Sequence, residues 1–363
     1  VHIPFLDLKK IQNRFLPQDM ESIKELHESG RYIGGQFVDT FEKEFASYCN
    51  VQCCVSTGNG LDALSIILRA ETALNRLPKN AKIAVPANTY IATILSVVHS
   101  HHTPVLFETE QCVVQVDDLK KIKEDYDAII VVDLYGIMVD DDVYAFAKAN
   151  HKKIYTDTAQ SHGGRTSSGK TSGSLAAASA FSFYPTKNLG ALGDAGAIVT
   201  NDPELAAMCR KIANYGRDSQ FLNSEIGVNS RMDPLQALFL STRLQVLESD
   251  NNSRRSIAYK YSQGIDNKKV QLLSTQLANR SVFHIYPIFV EDRVAFIDFM
   301  KHHGIQTGCH YEVPPHQQKA FSKWNDLQFP ATESRHQQQV SLPCHPLLDT
   351  QEVHHIIQTI NSY

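Results

Sequence analysis

The stretch DAIIVVDLYG (127–136) sets five apolar residues between two aspartates and ends on a glycine. Its isoleucines and valines favour a strand, and the run is too short for a buried helix. Every position is apolar rather than every second one. Such a strand has both faces covered, as in a parallel sheet lying between helices. Asp133 then falls at the strand's carboxyl end, where open α/β sheets bind their ligands.

Runs of the same kind lie on either side. KIAVPANTY (82–90) and TPVLFET (103–109) precede it, and KKIYTDTAQSHGG (152–164) follows. ASAFSFYP (178–185) and AGAIVTN (195–201) flank a segment that holds a single lysine. Helical patterns separate the strands. DALSIILRAETALNRL (62–77) aligns Leu64, Ile67 and Leu68 on one face, continued by Leu74, and DDVYAFAKAN (141–150) follows the central strand. The alternation predicts an α/β fold with a mainly parallel sheet. Asn88, Asp133, Asp157 and Gln160 all come at or just past strand ends.

The texture changes after residue 232. DPLQALFLSTRLQVLESDNNSRRSIAYKYSQGI (233–265) predicts one or two long helices. A strand at 281–290, a helix at 293–305 and a terminal helix at 351–363 follow. The expected organisation is a large domain at 1–245, with an N-terminal arm, and a smaller α+β domain at 246–363. A length of 363 residues suits such a pair.

Composition narrows the function. Charged residues make up 20% and the formal net charge is −4, with no basic tail or stripe. That argues against a nucleic-acid or anionic-membrane partner. No apolar run is long enough to span a bilayer. Asp7, Lys9, Lys10, Arg14 and Asp19 break any signal-peptide pattern. The seven cysteines are odd in number and scattered, which suits neither a disulfide framework nor a zinc site. Reduced thiols and a cytoplasmic location are expected, and no metal.

The lysine-bearing segment is SFYPTKNLG (182–190). Proline, glycine and asparagine disfavour regular structure there. A loop lysine is ordinarily a solvated charge. A lysine that forms a Schiff base must instead be held in place and partly unprotonated. An aldehyde cofactor also requires an acid near its ring nitrogen and an anchor for its phosphate. Asp157 can supply the acid, or can simply cap the turn that follows it. The small-residue turn STGNGLDAL (56–64) opens a helix, so the Gly60 and Leu61 amides can face an anion. Neither a G-x-G-x-x-G nor a P-loop pattern occurs there.

Taken together, GNGLDAL, PANTYIAT, DTAQSHGG, FSFYPTKNLGALGDAGAIVT, NYG and NSRMDPLQA occur in an order that resembles the DegT/DnrJ/EryC1/StrS family of sugar aminotransferases. The resemblance runs from FLDLKK to the C-terminal helix. It implies an aspartate-aminotransferase-type fold, pyridoxal 5'-phosphate as cofactor and a homodimer. By the same resemblance Lys187 binds the cofactor aldehyde, Asp157 pairs with the pyridine nitrogen, and Gln160 lies near the ring's 3' oxygen. Tyr90 stacks on the ring. Gly60, Leu61 and Ser182 hold the phosphate, and Asn229 reaches the phosphate in the neighbouring subunit.

The lysine segment is most similar to the branch acting at C3 of dTDP-linked 3-keto-6-deoxy sugars with L-glutamate as donor. Branches acting at C4 share the lysine, aspartate and glutamine. The implied product is a dTDP-3-amino-3,6-dideoxyhexose, for a surface polysaccharide such as O-antigen or for a glycosylated small molecule. Substrate neighbours implied by motif position are His310, Tyr311, His316 and Gln317 in CHYEVPPHQQKAF, with Tyr32, Arg31, Tyr215 and Arg231. Two departures stand out. Asp133 occupies a position where many relatives carry histidine, and TDTAQ replaces EDAAQ. Dehydratase relatives carry histidine where Lys187 stands, so the lysine argues against dehydration. A regulator or scaffold of the same fold is expected to lose Lys187 or Asp157, and both are present.

Overall fold

Residues Ala128–Val132 form a strand that is buried at every position, as their composition requires. The structure is a computed structural model and describes residues 2–219 and 221–363. The strands β1 (Cys53–Thr57), β2 (Lys82–Pro86), β3 (Thr103–Phe107), β4 (Ala128–Val132), β5 (Lys153–Asp157), β6 (Ala178–Ser182) and β7 (Gly196–Thr200) form one sheet. Its order is β1-β7-β6-β5-β4-β2-β3. β7 runs antiparallel to both neighbours, β1 and β6, and the remaining pairs are parallel. The carboxyl ends of β1, β2, β4, β5 and β6 therefore meet at one edge.

Apolar clusters cover both faces of this sheet. Leu64, Ile67 and Leu68 of the helix Gly60–Ala73 pack with Ile83, Ile130 and Ile198. Val131, Val143 and Ala147 lie in a cluster formed with the helix Asp141–Ala149. The predicted helix at 62–77 starts earlier and stops sooner. Asn59 caps it by accepting the Asp62 amide at 2.8 Å, and Asn75 turns the chain away with φ +56°.

Beyond Asn214, the short strands β8 (Arg217–Ser219) and β9 (Leu222–Asn223) pair, and the helices Pro234–Leu244 and Leu247–Gly264 follow. A second sheet is antiparallel and orders β10 (Val270–Gln271), β11 (Tyr286–Val290) and β12 (Gln339–Leu342). It has its own core, which includes Tyr261, Ile288, Phe296 and Ile356. Ile3 is buried in this core through paired backbone bonds with Gly304 and Gln306.

The strand expected over 281–290 begins only at Tyr286. Before it, Val282 and Ile285 donate their amides to Gly136 and Tyr135, so this stretch joins the smaller unit to the β4 turn instead of extending a sheet. The seven cysteines are all free thiols. Among the described residues no helix is long and apolar enough to cross a membrane.

Candidate active site

Ser182 ends β6 and Thr57 ends β1, and both pair with Gly196 on β7, which lies between those two strands. The turn after β1 crosses this point at close range. A methyl group at Gly196 would lie 2.4 Å from the Asn59 carbonyl carbon, and one at Gly60 would lie 2.8 Å from Cβ of Ser182. Glycine at both positions lets the first turn of the helix Gly60–Ala73 sit directly against Ser182. The amides of Gly60 and Leu61 have no intrahelical acceptor, and the helix dipole adds positive potential there. Ser230 steadies the turn from behind. Its hydroxyl accepts from the Gly58 amide at 3.0 Å and donates to Asp62 at 2.7 Å.

Asp157 ends β5 two strands away from β7 and is buried. Thr93 donates to its Oδ2 at 2.8 Å, and the Ala159 amide donates to Oδ1 at 3.1 Å. Burial raises the pKa of its carboxyl, while Thr93, Ala159 and the positive charge of Lys187 oppose that rise. Lys187 sits half-buried in a loop closed by two backbone bonds, Lys187 N to Tyr184 O and Ala191 N to Phe183 O, both at 2.8 Å. Desolvation pushes its amine down to about 8 against the pull of Asp157. A lysine with that pKa holds a substantial neutral fraction near physiological pH, which a nucleophile or base requires.

A polar chain continues from here. Gln160 accepts from the Tyr135 amide at 2.6 Å and donates to the Tyr311 hydroxyl at 2.9 Å. Tyr135 donates to the His310 carbonyl at 2.6 Å. Tyr311 packs on Tyr90 with ring centres 4.9 Å apart. Residues from β5, the β4 turn and the smaller unit thus converge. His310 bonds Ser341 through Nδ1 at 2.7 Å, and burial with the Lys187 charge pushes its imidazole down to about 4, so it is neutral.

Other sequence-predicted residues lie elsewhere. Tyr215 carries the Arg231 guanidinium over its ring at 5.5 Å, and Arg231 donates to Asn214. Asn229 is exposed on the strand-like segment that pairs with Asn214, and no side-chain bond holds it among the described residues. Arg31 and Tyr32 are exposed, and Tyr32 meets His27 at 3.3 Å. His316 is fully buried, bonded to Glu333 at 3.1 Å and packed edge-on against Phe329, so it is not part of this cluster. Gln317 beside it is exposed.

Thr93, Tyr135, Asn188 and His284 were not singled out by the sequence. Thr93 lies one helical turn after Tyr90, a spacing that puts its hydroxyl on the same side. His284 meets Asn188 at 3.3 Å, a contact between residues 96 positions apart that no local pattern reveals. Asp133 has a structural place. It accepts from the Val139 amide at 2.8 Å and the Ser161 hydroxyl at 2.7 Å, fully buried, with its carboxyl pushed up to about 7 by desolvation.

This architecture is the type I fold of pyridoxal-phosphate enzymes, a large α/β domain with a smaller α+β domain. The chain belongs to the DegT/DnrJ/EryC1/StrS aminotransferase family, whose profile matches residues 15–361. It is 42% identical over 365 residues to a dTDP-3-amino-3,6-dideoxy-alpha-D-galactopyranose transaminase of Aneurinibacillus thermoaerophilus, covering 99% of both chains. The solved structure of DesV from S. venezuelae superimposes with a TM-score of 0.93 at 34% identity, covering 99% of this chain and 98% of that one. NtdA of Bacillus subtilis, solved with bound PMP, gives 0.89 at 28% identity, covering 99% and 84%.

The residues present fit pyridoxal phosphate. The Gly60–Ser182 contact leaves a cradle that a Cβ would fill, beside the first-turn amides that lack an intrahelical acceptor. Asp157 is a buried carboxylate with no hydrogen-bonded cation among the described residues, which suits a protonated ring nitrogen. Lys187 is the amine close enough to lower the Asp157 pKa.

Proposed function

We propose that this protein transfers the amino group of L-glutamate to C3 of a dTDP-linked 3-keto-6-deoxyhexose, giving a dTDP-3-amino-3,6-dideoxyhexose. The observation that carries the reading is the end-to-end 42% identity to a transaminase named for such a product. When bound, pyridoxal phosphate supplies a ring that spreads the electron pair left on carbon when an α proton departs.

The residues of this chain take the remaining parts. The Lys187 amine holds the cofactor's aldehyde carbon and, once released, takes the proton from the donor's α carbon. Its depressed pKa favours the neutral form that accepts that proton. Asp157 keeps the ring nitrogen protonated, and Thr93 keeps Asp157 oriented and ionised. Gly60, Leu61 and Ser182 hold the phosphate. Tyr90 and Tyr311 form an aromatic wall, and Gln160 is fixed beside it. His310 and Tyr311 border the acceptor sugar, with Tyr215 and Arg231 farther out.

In this reading the enzyme is a homodimer in the cytoplasm, with Asn229 completing the neighbouring subunit's phosphate site. The two domains divide at Gln245 and Val246, between consecutive helices.

The test is direct. The protein loaded with pyridoxal phosphate is given L-glutamate and a dTDP-3-keto-6-deoxyhexose, and the product is assigned by NMR. Nitrogen at C3 with matching 2-oxoglutarate release is expected. Turnover of only a 4-keto sugar moves the enzyme to the C4 branch. Turnover of neither sugar, with no spectral response to any amino acid, removes the catalytic reading.

A further inference from the structure

A cavity of about 350 Å³ lies between the N-terminal segment, the smaller unit and the lysine loop. Its polar lining is Thr186, Arg254, His284, Gln306 and His310. A second recess, lined in part by Lys187, adjoins it through Leu6, Leu8, Thr186 and Arg254. Arg254 is 5% exposed. One of its terminal nitrogens donates to the carbonyls of Phe283 and Cys344, and its Nε has no partner among the described residues. The carboxylate nearest in sequence, Asp250, is engaged in both oxygens by Arg14 at 2.9 and 2.7 Å. Arg254 is therefore a buried cation that feels the charge of Asp250 but bonds no carboxylate among the described residues.

A buried guanidinium left uncompensated is unfavourable, and its planar fork matches a carboxylate. The other polar groups do not compete for an anion's charge. Burial and nearby positive charge keep His284 and His310 neutral, so they offer hydrogen bonds only. Phe5, Ile285 and Leu342 give the cavity an apolar wall. One cation, neutral donors and an apolar wall suit a small carboxylate on an aliphatic chain. A nucleoside diphosphate, bulkier and more highly charged, fits this lining poorly.

We propose that Arg254 receives a carboxylate of the amino donor, making this cavity the dicarboxylate subsite beside Lys187. The inference rests on the aminotransferase reading above. Gln306 stands exposed at the cavity's mouth. A negative charge there opposes the incoming carboxylate without disturbing Arg254's own backbone bonds.

Two variants test this, R254K and Q306E, each checked for wild-type folding by circular dichroism and melting. R254K keeps the charge and loses the fork. Glutarate, butyrate and dTDP are titrated calorimetrically into the cofactor-loaded protein, and the spectral half-reaction is run with L-glutamate. Wild type is expected to bind glutarate more tightly than butyrate. Both variants should weaken glutarate binding and raise the glutamate concentration for half-saturation, by about tenfold to a hundredfold. dTDP binding should be unchanged.

Folded variants that bind glutarate and use glutamate as wild type does would overturn the assignment. Loss of dTDP binding in their place would give the cavity to the nucleotide and overturn it equally. A wild-type protein with no spectral response to any amino acid is a separate result. It removes the aminotransferase reading itself.

Discussion

Thr93 donates its hydroxyl to Asp157 across 2.8 Å, and no other side chain among the described residues bonds that carboxylate. Burial raises the Asp157 pKa and this bond is the leading opposing influence. Thr93→Val, nearly equal in volume, should raise the pKa further and weaken the grip on a protonated ring nitrogen. The acid limb of the pH–rate profile should move to higher pH, with kcat lower by about tenfold for each 1.4 kcal/mol lost. Thr93→Ser should restore most of the activity. An acid limb that stays in place in Thr93→Val would remove Thr93 from the site's electrostatics.

Gly60 touches Ser182 so closely that any side chain must displace it. Gly60→Ala is expected to fill the phosphate cradle. The helix itself should tolerate alanine, which is a better helix former than glycine. The predicted signature is a tenfold or greater loss of pyridoxal-phosphate affinity, measured by absorbance titration on protein that still folds, with the cofactor-free protein destabilised by about 1–3 kcal/mol as Ser182 and its strand give way. Equal cofactor affinity would place the phosphate elsewhere.

Local pattern carried much of this site. The apolar run at β4 announced the parallel sheet, and the small-residue turn before Ala63 announced a helix end. Lys187 stood out because proline, glycine and asparagine crowd its segment, and Asp157 because it is an acid at a strand end before a turn. What local pattern could not supply was joinery. Tyr135 reaches the His310 carbonyl over 175 positions, and Gln160 reaches Tyr311 over 151. His316 shared a motif with Tyr311, yet the short helical turn after Pro314 directs it into a pocket of Glu333 and Phe329. Sequence proximity placed it at the site, and backbone direction took it away.

Lys187 carries a stability signature of its own. Its pKa in the folded protein is about 8, below the ordinary lysine value. Between those two values the unfolded chain binds more protons than the folded one, so stability rises with pH across that window. Below about 8 the folded state holds a poorly solvated charge. Lys187→Met in the cofactor-free protein should therefore melt higher than wild type at pH 7. The gap should shrink as the pH climbs above 8 toward 10. A gap constant with pH would contradict the depressed pKa.

Asp133 should behave in the opposite sense. Its carboxyl is pushed up to about 7 by burial. Between roughly 4 and 7 the folded state binds more protons than the unfolded chain, so this group lowers stability as pH rises through that range. Asp133→Asn keeps an oxygen for the Val139 amide and cannot ionise. Its melting temperature should gain on wild type as the pH is raised from 4 to 7 and then hold a fixed lead. Activity should be little changed, because Asp133 is turned toward Val139 and Ser161.

Asn229 tests whether two chains build one site. Its side chain is exposed and makes no hydrogen bond among the described residues, on the segment paired with Asn214. If it serves the neighbouring subunit, Asn229→Ala and Lys187→Ala are defects in different halves of a site. Each homodimer alone should be nearly inactive. Mixed and allowed to exchange, half of the dimers become heterodimers, and each contains one site with both native residues. Activity should recover to about a quarter of wild type, as two-fold symmetry dictates. If Asn229 works only within its own chain, every site in the mixture lacks one residue and no recovery follows. Size-exclusion chromatography with light scattering on the same samples separates failure to exchange from failure to complement. A dimer that exchanges but stays inactive would return Asn229 to its own subunit.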